Sequence, residues 1–271
     1  MRHERWDSAL FLHWKFQKTL IQNLLPPGLY VDTIPNVSQD QEPTKEDAWL
    51  GMVLLSELGV GATCCRAVLV DHHGANLRVY VMGPDGPGIY FLSLECSSIL
   101  ASVGARAMAI PYWPSSMTRA ESVQKQVKVS SSTDDSMKLA KINLFQMTGK
   151  RRNINCCASN AAAPHVDCIW TTAPPAAVSH TEENRDNTQW VQRASFFLER
   201  YCVYTFRGGQ LYSGTVSHEP WPVVPAHVQR LNQSLSVAIE GLPTALGDPT
   251  HCCYSKGVGP VNFAMLRPCL N

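Results

Sequence analysis

Apolar residues along the chain recur mostly at every second position, in runs of five to eight punctuated by Gly and Pro, which is the pattern of half-buried strands. An early exception is residues 15–25, where Phe16, Leu20 and Leu24 fall on one helical face with Ile21 and Leu25 beside it. Pro26-Pro27-Gly28 ends that run, so the spacing predicts a short amphipathic helix with a defined stop. Strands are predicted at 30–34 and 49–55, separated by a polar loop over 36–47. A hairpin follows at 77–81 and 88–94, its turn written as Met82-Gly-Pro-Asp-Gly-Pro87.

Residues 98–109 are Ala-rich with Ile99, Val103 and Met108 at helical spacing, and Pro111 closes a second predicted helix. Alternation over 122–129 and 138–147, on either side of a Ser-Ser-Thr-Asp-Asp turn, predicts paired antiparallel strands with one face in solvent. Residues 153–187 are rich in Ala, Ser, Asn, Thr and Pro and read as a flexible loop insertion, with one apolar island at Val166-Asp-Cys-Ile-Trp170. A helix at 189–200, a hairpin of 201–206 with 211–218, a helix at 225–240 built on Val228, Leu231, Leu235 and Ile239 with Gly241 as cap, and a closing strand at 262–266 complete the chain. Together these describe one domain over residues 1–271, mainly β with peripheral helices.

At 271 residues, 45% of them hydrophobic and 17% charged, the chain can bury a substantial core without staples. A net charge of +1, with Lys150-Arg-Arg152 as its one basic cluster, argues against nucleic-acid binding. The N-terminal apolar run at Ser8-Ala-Leu-Phe-Leu is too short for a secretion signal, and no stretch approaches the roughly 18 residues of a membrane span. A cytoplasmic protein with no membrane contact is therefore expected. Ten cysteines occur without a Cys-x-x-Cys, and His72-His73 lacks the spacing of a zinc site, so the thiols read as reduced small hydrophobes, with no metal or cofactor expected. No nucleophile elbow or phosphate loop is present. A homo-oligomer is compatible with these features and is not specified by them.

The motifs Phe11-Leu-His-Trp14, Leu24-Leu-Pro-Pro-Gly-Leu29, Asn76-Leu-Arg-Val-Tyr80, Gly88-Ile-Tyr-Phe-Leu-Ser-Leu94, Gly104-Ala-Arg106, Pro111-Tyr112, Glu199-Arg-Tyr201, Gly214, Pro220-Trp-Pro222 and Tyr254-Ser255 occur in an order that resembles the YqjF-like family of uncharacterised proteins. That family is related to acetoacetate decarboxylase, and the resemblance implies an acetoacetate decarboxylase-like closed antiparallel β-barrel with a few helices outside it. The decarboxylases carry Gly-Arg-Glu-x-x-Gly-x-Pro-Lys-Lys where this chain runs from Gly104 to Trp113. Gly104 and Pro111 match, Ala105 and Arg106 replace the Arg and Glu, and Tyr112 and Trp113 stand at the two lysines. Neither phenol nor indole forms an imine, so Schiff-base decarboxylation does not transfer. Gly74 also departs from the family pattern, standing where an acidic residue usually precedes the Asn76 motif.

Five residues are candidates for binding a small carboxylate in a barrel pocket. Arg78 and Tyr80 share a strand face and suit an anion if they point inward, or an ordinary solvated face if they point out. Arg106 lies beside the Pro111-Tyr112 corner and can fork onto a carboxylate, or satisfy a helix end or a buried acid such as Glu95. Glu95 ends an apolar strand and can serve as acid or base, or as an arginine's partner. Tyr112 can donate to a bound carbonyl, or simply pack. Glu199-Arg-Tyr201 reads as a structural junction, and His218-Glu-Pro-Trp-Pro222 as a turn anchored by Trp burial or as a pocket mouth. The competing function is a non-catalytic binding or regulatory module whose barrel is filled by its own side chains.

Overall fold

A computed structural model describes residues 1–34, 47–61, 69–107, 110–131, 134–152, 163–172 and 183–269. In chain order the elements are β1 (Arg2–His3), β2 (Arg5–Gln17), α1 (Lys18–Gln22), β3 (Tyr30–Val31), β4 (Asp47–Val60), β5 (Val70–Gly83), β6 (Gly86–Cys96), α2 (Ile99–Ala107) and β7 (Tyr112–Ser131). There follow β8 (Asp134–Arg151), β9 (His165–Thr172), α3 (Glu183–Leu198), β10 (Cys202–Arg207), β11 (Gln210–Ser217), β12 (Val223–Gln233), β13 (His251–Val258), β14 (Val261–Phe263) and β15 (Arg267–Pro268).

Nine strands close on themselves in the order β2-β4-β5-β6-β7-β8-β9-β12-β13 and back to β2. Every pairing in that ring is antiparallel except β6 with β7, which is parallel and short, from Leu94 to Cys96 against Tyr112 to Pro114. The barrel is therefore mixed rather than wholly antiparallel. Its interior is filled by alternate side chains of the ring, among them Leu10, Leu12, Leu50, Met52, Phe145 and Trp170.

A second run of strands leaves the barrel at β6. It passes through β10, β11 and β14 to β1, and Arg2 bridges to Gly61 just beyond the end of β4. This run forms an annex against the outer face of β2, β4 and β5, with α3 packed into it through Ala194, Phe197 and Leu198. The wall shared by barrel and annex is covered on both sides. Seven consecutive residues of β2, Ser8 to Trp14, are buried, and so are Ala48 to Ser56 of β4. Two-sided burial turns alternation into a continuous apolar run.

The hairpin of β5 and β6 matches the sequence reading, with Gly83 opposite Gly86 and Gly86 at φ +98 where only a glycine turns without strain. The paired strands β7 and β8 and the helices α2 and α3 also stand where the patterns place them. Two expectations are corrected. Phe16 belongs to β2, so the first helix is only Lys18–Gln22. Residues 225–240 are not a helix: β12 runs to Gln233 and a single 3-10 turn occupies Ser236–Ala238. A bulge between Val228 and Arg230 adds a residue to β12, so Val228 and Leu231 lie three apart while remaining in a strand. The expected loop over 153–187 contains β9 and the start of α3, and its remaining residues, like most of the loop over 36–47, lie outside the described residues.

Candidate functional site

The annex encloses a cavity of about 120 Å³ against the barrel's outer wall. Phe11, Val53 and Leu55 form one side of it, and Val203, Val216 and Trp221 another. Five polar residues from strands or their ends interrupt this apolar lining: Glu57 on β4, Asn76 and Arg78 on β5, Tyr112 on β7, and Arg200 between α3 and β10. His218 borders the cavity from the loop before Trp221.

Strand periodicity explains the β5 pair. Leu77, Val79 and Val81 point into the barrel, so Asn76, Arg78 and Tyr80 point the other way, into the annex. Arg78 is thus neither inside the barrel nor in solvent. Its Nη2 donates to the Phe197 carbonyl at 3.1 Å and its Nε reaches the Tyr80 hydroxyl at 3.4 Å. No carboxylate lies within ion-pair distance of Arg78 among the described residues. Asn76 is 8% exposed and its Oδ1 has no hydrogen-bond partner. Arg200, by contrast, is neutralised by Asp32 at 2.5 Å and donates to the Phe196 carbonyl.

Glu57 is 6% exposed, with Oε2 2.9 Å from His3 Nδ1, which also lies 2.8 Å from the indole nitrogen of Trp6. Burial pushes the Glu57 carboxyl up, but His72, His3 and the Trp6 N–H together outweigh it and hold the group below its ordinary value. Across the cavity, burial and then the Glu57 charge push the Tyr112 hydroxyl well above the usual phenol range, so it stays a donor. A Cβ on Gly74 would come within 3.1 Å of Glu57 Oε1. The carboxylate from β4 therefore occupies the space beside the β5 position at which the family resemblance leads one to expect an acid.

Behind Arg78 lies a buried chain of polar groups. Tyr80 Oη is 2.8 Å from His13 Nε2, and His13 Nδ1 is 3.2 Å from His251 Nδ1. Gly51 makes room for it, since a Cβ there would stand 2.7 Å from the Tyr80 hydroxyl. Burial, with His251 and Arg78 nearby, lowers His13 well below the ordinary histidine range, and burial with Arg193 lowers His251 to about 4. Below pH 6.5 the unfolded chain takes up protons at these sites that the folded chain refuses, so stability falls with pH. Between pH 7.5 and 5 the His251 shift alone is expected to remove about 2 kcal/mol. Urea midpoints at the two pH values check this, and an equal drop in His251→Leu would contradict it.

Of the five candidates, the structure brings Arg78 and Tyr112 to the cavity and sets Tyr80 directly behind Arg78. Glu95 faces the barrel interior, because the bulge at Leu92 reverses the faces of β6, and it is held by Arg151, Ser93 and Ser115. Arg106 is exposed, its guanidinium 4.2 Å from the Trp113 ring centroid, and pairs with neither Glu95 nor the cavity. Glu57 and Asn76 also line it without having been singled out from sequence, Arg200 lines it from the Glu199-Arg-Tyr201 junction, and His218 stands where the pocket-mouth reading of its loop put it. Among the described residues no group of three or more His, Cys, Asp or Glu is placed to hold a metal ion. None of the described helices is long and apolar enough to cross a membrane.

Residues 3–259 match the family model DUF2071, described as an uncharacterised conserved protein. Over 221 residues the chain is 26% identical to the uncharacterised protein YqjF of Bacillus subtilis (strain 168), covering 80% of this chain and 73% of that one. Among solved structures, the enduracididine biosynthesis enzyme MppR complexed with pyruvate superposes with a TM-score of 0.55 at 8% identity, over 100% of this chain and 91% of that chain. An acetoacetate decarboxylase-like enzyme from Sphingomonas wittichii RW1 gives 0.51 at 10% identity, over 98% and 93%. At such identities the likeness is one of fold.

Proposed function

The chain belongs to the DUF2071 family of uncharacterised conserved proteins, built on the acetoacetate decarboxylase-like fold, and from that premise we propose that it binds a small organic acid, of the 2-oxo acid class, in the annex cavity without forming a Schiff base. The observation that carries this reading is Arg78. A guanidinium with no carboxylate partner among the described residues, set in a largely apolar wall, is complementary to a small carboxylate, and the buried, unpaired Asn76 Oδ1 beside it is placed to accept from a water bound with that ligand. A cavity of about 120 Å³ suits a ligand of roughly the size of benzene, which fills an engineered cavity of about 150 Å³. Tyr112 lines the cavity at the place where the decarboxylases have a lysine, so the wall offers a hydrogen-bond donor there and no amine. The MppR structure, of like fold, holds pyruvate.

A thermal-shift series with pyruvate, 2-oxobutanoate and acetate tests the reading. At a hundred times its dissociation constant, a 2-oxo acid is expected to stabilise the protein by about 2.7 kcal/mol. Folded Arg78→Ala is expected to lose that response. The second reading, a regulatory or binding module without a small-molecule ligand, is favoured by the filled barrel interior around Trp170 and Phe145. It predicts no shift with any acid, and an Arg78→Ala variant that merely melts earlier.

A further inference from the structure

We propose that Tyr80 and His13 are positioning residues for Arg78: a hydrogen-bond chain of fixed direction holds one edge of the guanidinium against the wall and leaves its Nη1–Nη2 end to take the ligand carboxylate. The proposal rests on the ligand reading above and specifies how that site is built. Its ground is the set of donors that Arg78 has already committed. Nε points to the Tyr80 hydroxyl at 3.4 Å and Nη2 donates to the Phe197 carbonyl at 3.1 Å, so the Nε–Nη2 edge is occupied by the protein. Nη1 has no partner among the described residues, and Arg78 lines the cavity. An arginine whose side edge is engaged offers the two parallel N–H bonds at its end, the fork that a carboxylate fits.

The direction of the chain follows from which atoms can donate. A guanidinium only donates, so the Tyr80 oxygen accepts from Arg78. Tyr80 is 1% exposed, and the other partner of its hydroxyl is His13 Nε2 at 2.8 Å. The phenol proton goes to that acceptor, so His13 Nε2 carries no hydrogen. His13 is neutral, because burial, with His251 and Arg78 nearby, keeps it well below the ordinary histidine range. Its single N–H is therefore on Nδ1, where His251 Nδ1 accepts at 3.2 Å. The last proton of the chain falls on His251 Nε2, which is buried without a partner. The reverse direction would leave that nitrogen unpartnered and strip the buried Tyr80 hydroxyl of its acceptor as well.

The fold places each member of the chain. Arg78 and Tyr80 are two apart on one face of β5, and His13 on β2 is the register partner of His251 on β13. Gly51 of β4 stands opposite Arg78. A Cβ there would lie 2.7 Å from the Tyr80 hydroxyl and 3.4 Å from Arg78 Cγ, so the missing side chain leaves the first link its path. From α3, Phe197 stacks on His13 at 3.8 Å between ring centroids and gives its carbonyl to Nη2. The guanidinium carbon lies 5.5 Å from the Tyr80 ring centroid and 5.7 Å from that of Phe11, which adds aromatic faces to the hydrogen bonds that hold it.

Two measurements test the proposal. NMR of the full chain with 15N-labelled histidine reads the ring protons without any variant: His13, identified by its contacts with the Phe197 ring, is expected to carry its proton on Nδ1, and His251 on Nε2. Titration calorimetry with pyruvate is expected to show about tenfold weaker binding for Tyr80→Phe and for His13→Leu. His13→Gln, whose side-chain carbonyl can accept from the Tyr80 hydroxyl, is expected to recover most of that loss, which a packing role alone would not produce. A proton on His13 Nε2 at neutral pH, or a folded Tyr80→Phe that binds pyruvate as tightly as wild type, would overturn the positioning role and leave the ligand reading standing. Wild-type protein that binds no pyruvate would instead remove the ligand reading and the positioning role with it.

Discussion

Replacing Arg151 by alanine is expected to destabilise the fold by about 3–5 kcal/mol, because it strands a carboxylate inside the barrel wall. Glu95 is 2% exposed, and the Arg151 guanidinium covers both of its oxygens, with Nε at 3.1 and 3.2 Å and Nη2 closer still to Oε1. Ser93 at 3.1 Å and Ser115 at 2.5 Å donate to the same carboxylate. Those two hydroxyls cannot replace a charge. The network also laces the one parallel seam of the ring: Glu95 is on β6, Ser115 on β7 and Arg151 on β8, so it spans the short pairing of β6 with β7. Trp113, whose ring centroid lies 4.5 Å from the guanidinium, is packed over it. Urea denaturation should therefore show a large fall in midpoint for Arg151→Ala and for Arg151→Lys a smaller one, since an ammonium keeps the charge but loses the fork. The paired change Glu95→Leu with Arg151→Leu should recover most of the loss. A single variant within 1 kcal/mol of wild type would mean that the pair carries little of the seam's strength.

Where the sequence pattern is readable, one face of an element is wet. The hairpin of β5 and β6, the pair β7 and β8, and the helices α2 and α3 all carry a polar side or an explicit turn, and each is legible from spacing alone. Where two cores share one wall, the period disappears. Ser8-Ala-Leu-Phe-Leu shows no strand period and reads only as too short for a secretion signal, because Leu10 and Leu12 fill the barrel while Ala9 and Phe11 fill the annex. A bulge produced the opposite error in β12, where one extra residue converts a two-residue period into a three-residue step that imitates a helix. Neither feature leaves a local signature in composition.

Bulges also decided which site residues were legible. Arg78 and Tyr112 are found by reading one strand and one turn, and Asn76 was within reach by the same alternation, being two residues from Arg78 on the same face. Glu95 and Glu57 present one signal, a carboxylate at the end of an apolar strand. The bulge at Leu92 sends Glu95 into the barrel, and the pairing of β4 with β5 sends Glu57 to the cavity. Period two read from either strand alone cannot separate them. Arg200, read from sequence as a structural junction, reaches the cavity because the annex closes through β10, β11 and β14, a long-range arrangement; the proline-bound loop of His218 offered a pocket mouth as one of two local readings.

The annex is also where a single apolar side chain is expected to matter most. Phe197 on α3 is fully buried, its ring stacked on His13 at 3.8 Å between centroids and packed against Trp49 at 4.9 Å and Tyr80 at 5.1 Å. Phe197→Ala is expected to cost about 3–5 kcal/mol, the range for truncating a buried aromatic in a core that cannot collapse. Collapse is hindered here because the facing side chains belong to a wall whose opposite surface is packed into the barrel, so neither β2 nor β5 can shift inward without overpacking Leu12 or Val79. The change reaches the cavity through two routes. The Phe197 carbonyl is the anchor of Arg78, and Leu198 and Arg200, which follow it in the chain, line the cavity. A loosened α3 therefore releases the arginine from its set position, and under the proposed ligand reading Phe197→Ala should bind pyruvate more weakly than wild type even at temperatures where it is fully folded. Phe197→Leu, which keeps most of the volume, should lose less of both. Calorimetric melting with titration of pyruvate separates the two effects: a stability loss with unchanged affinity would show that Arg78 is held by the barrel wall alone, and that the helix seals the annex without shaping the site.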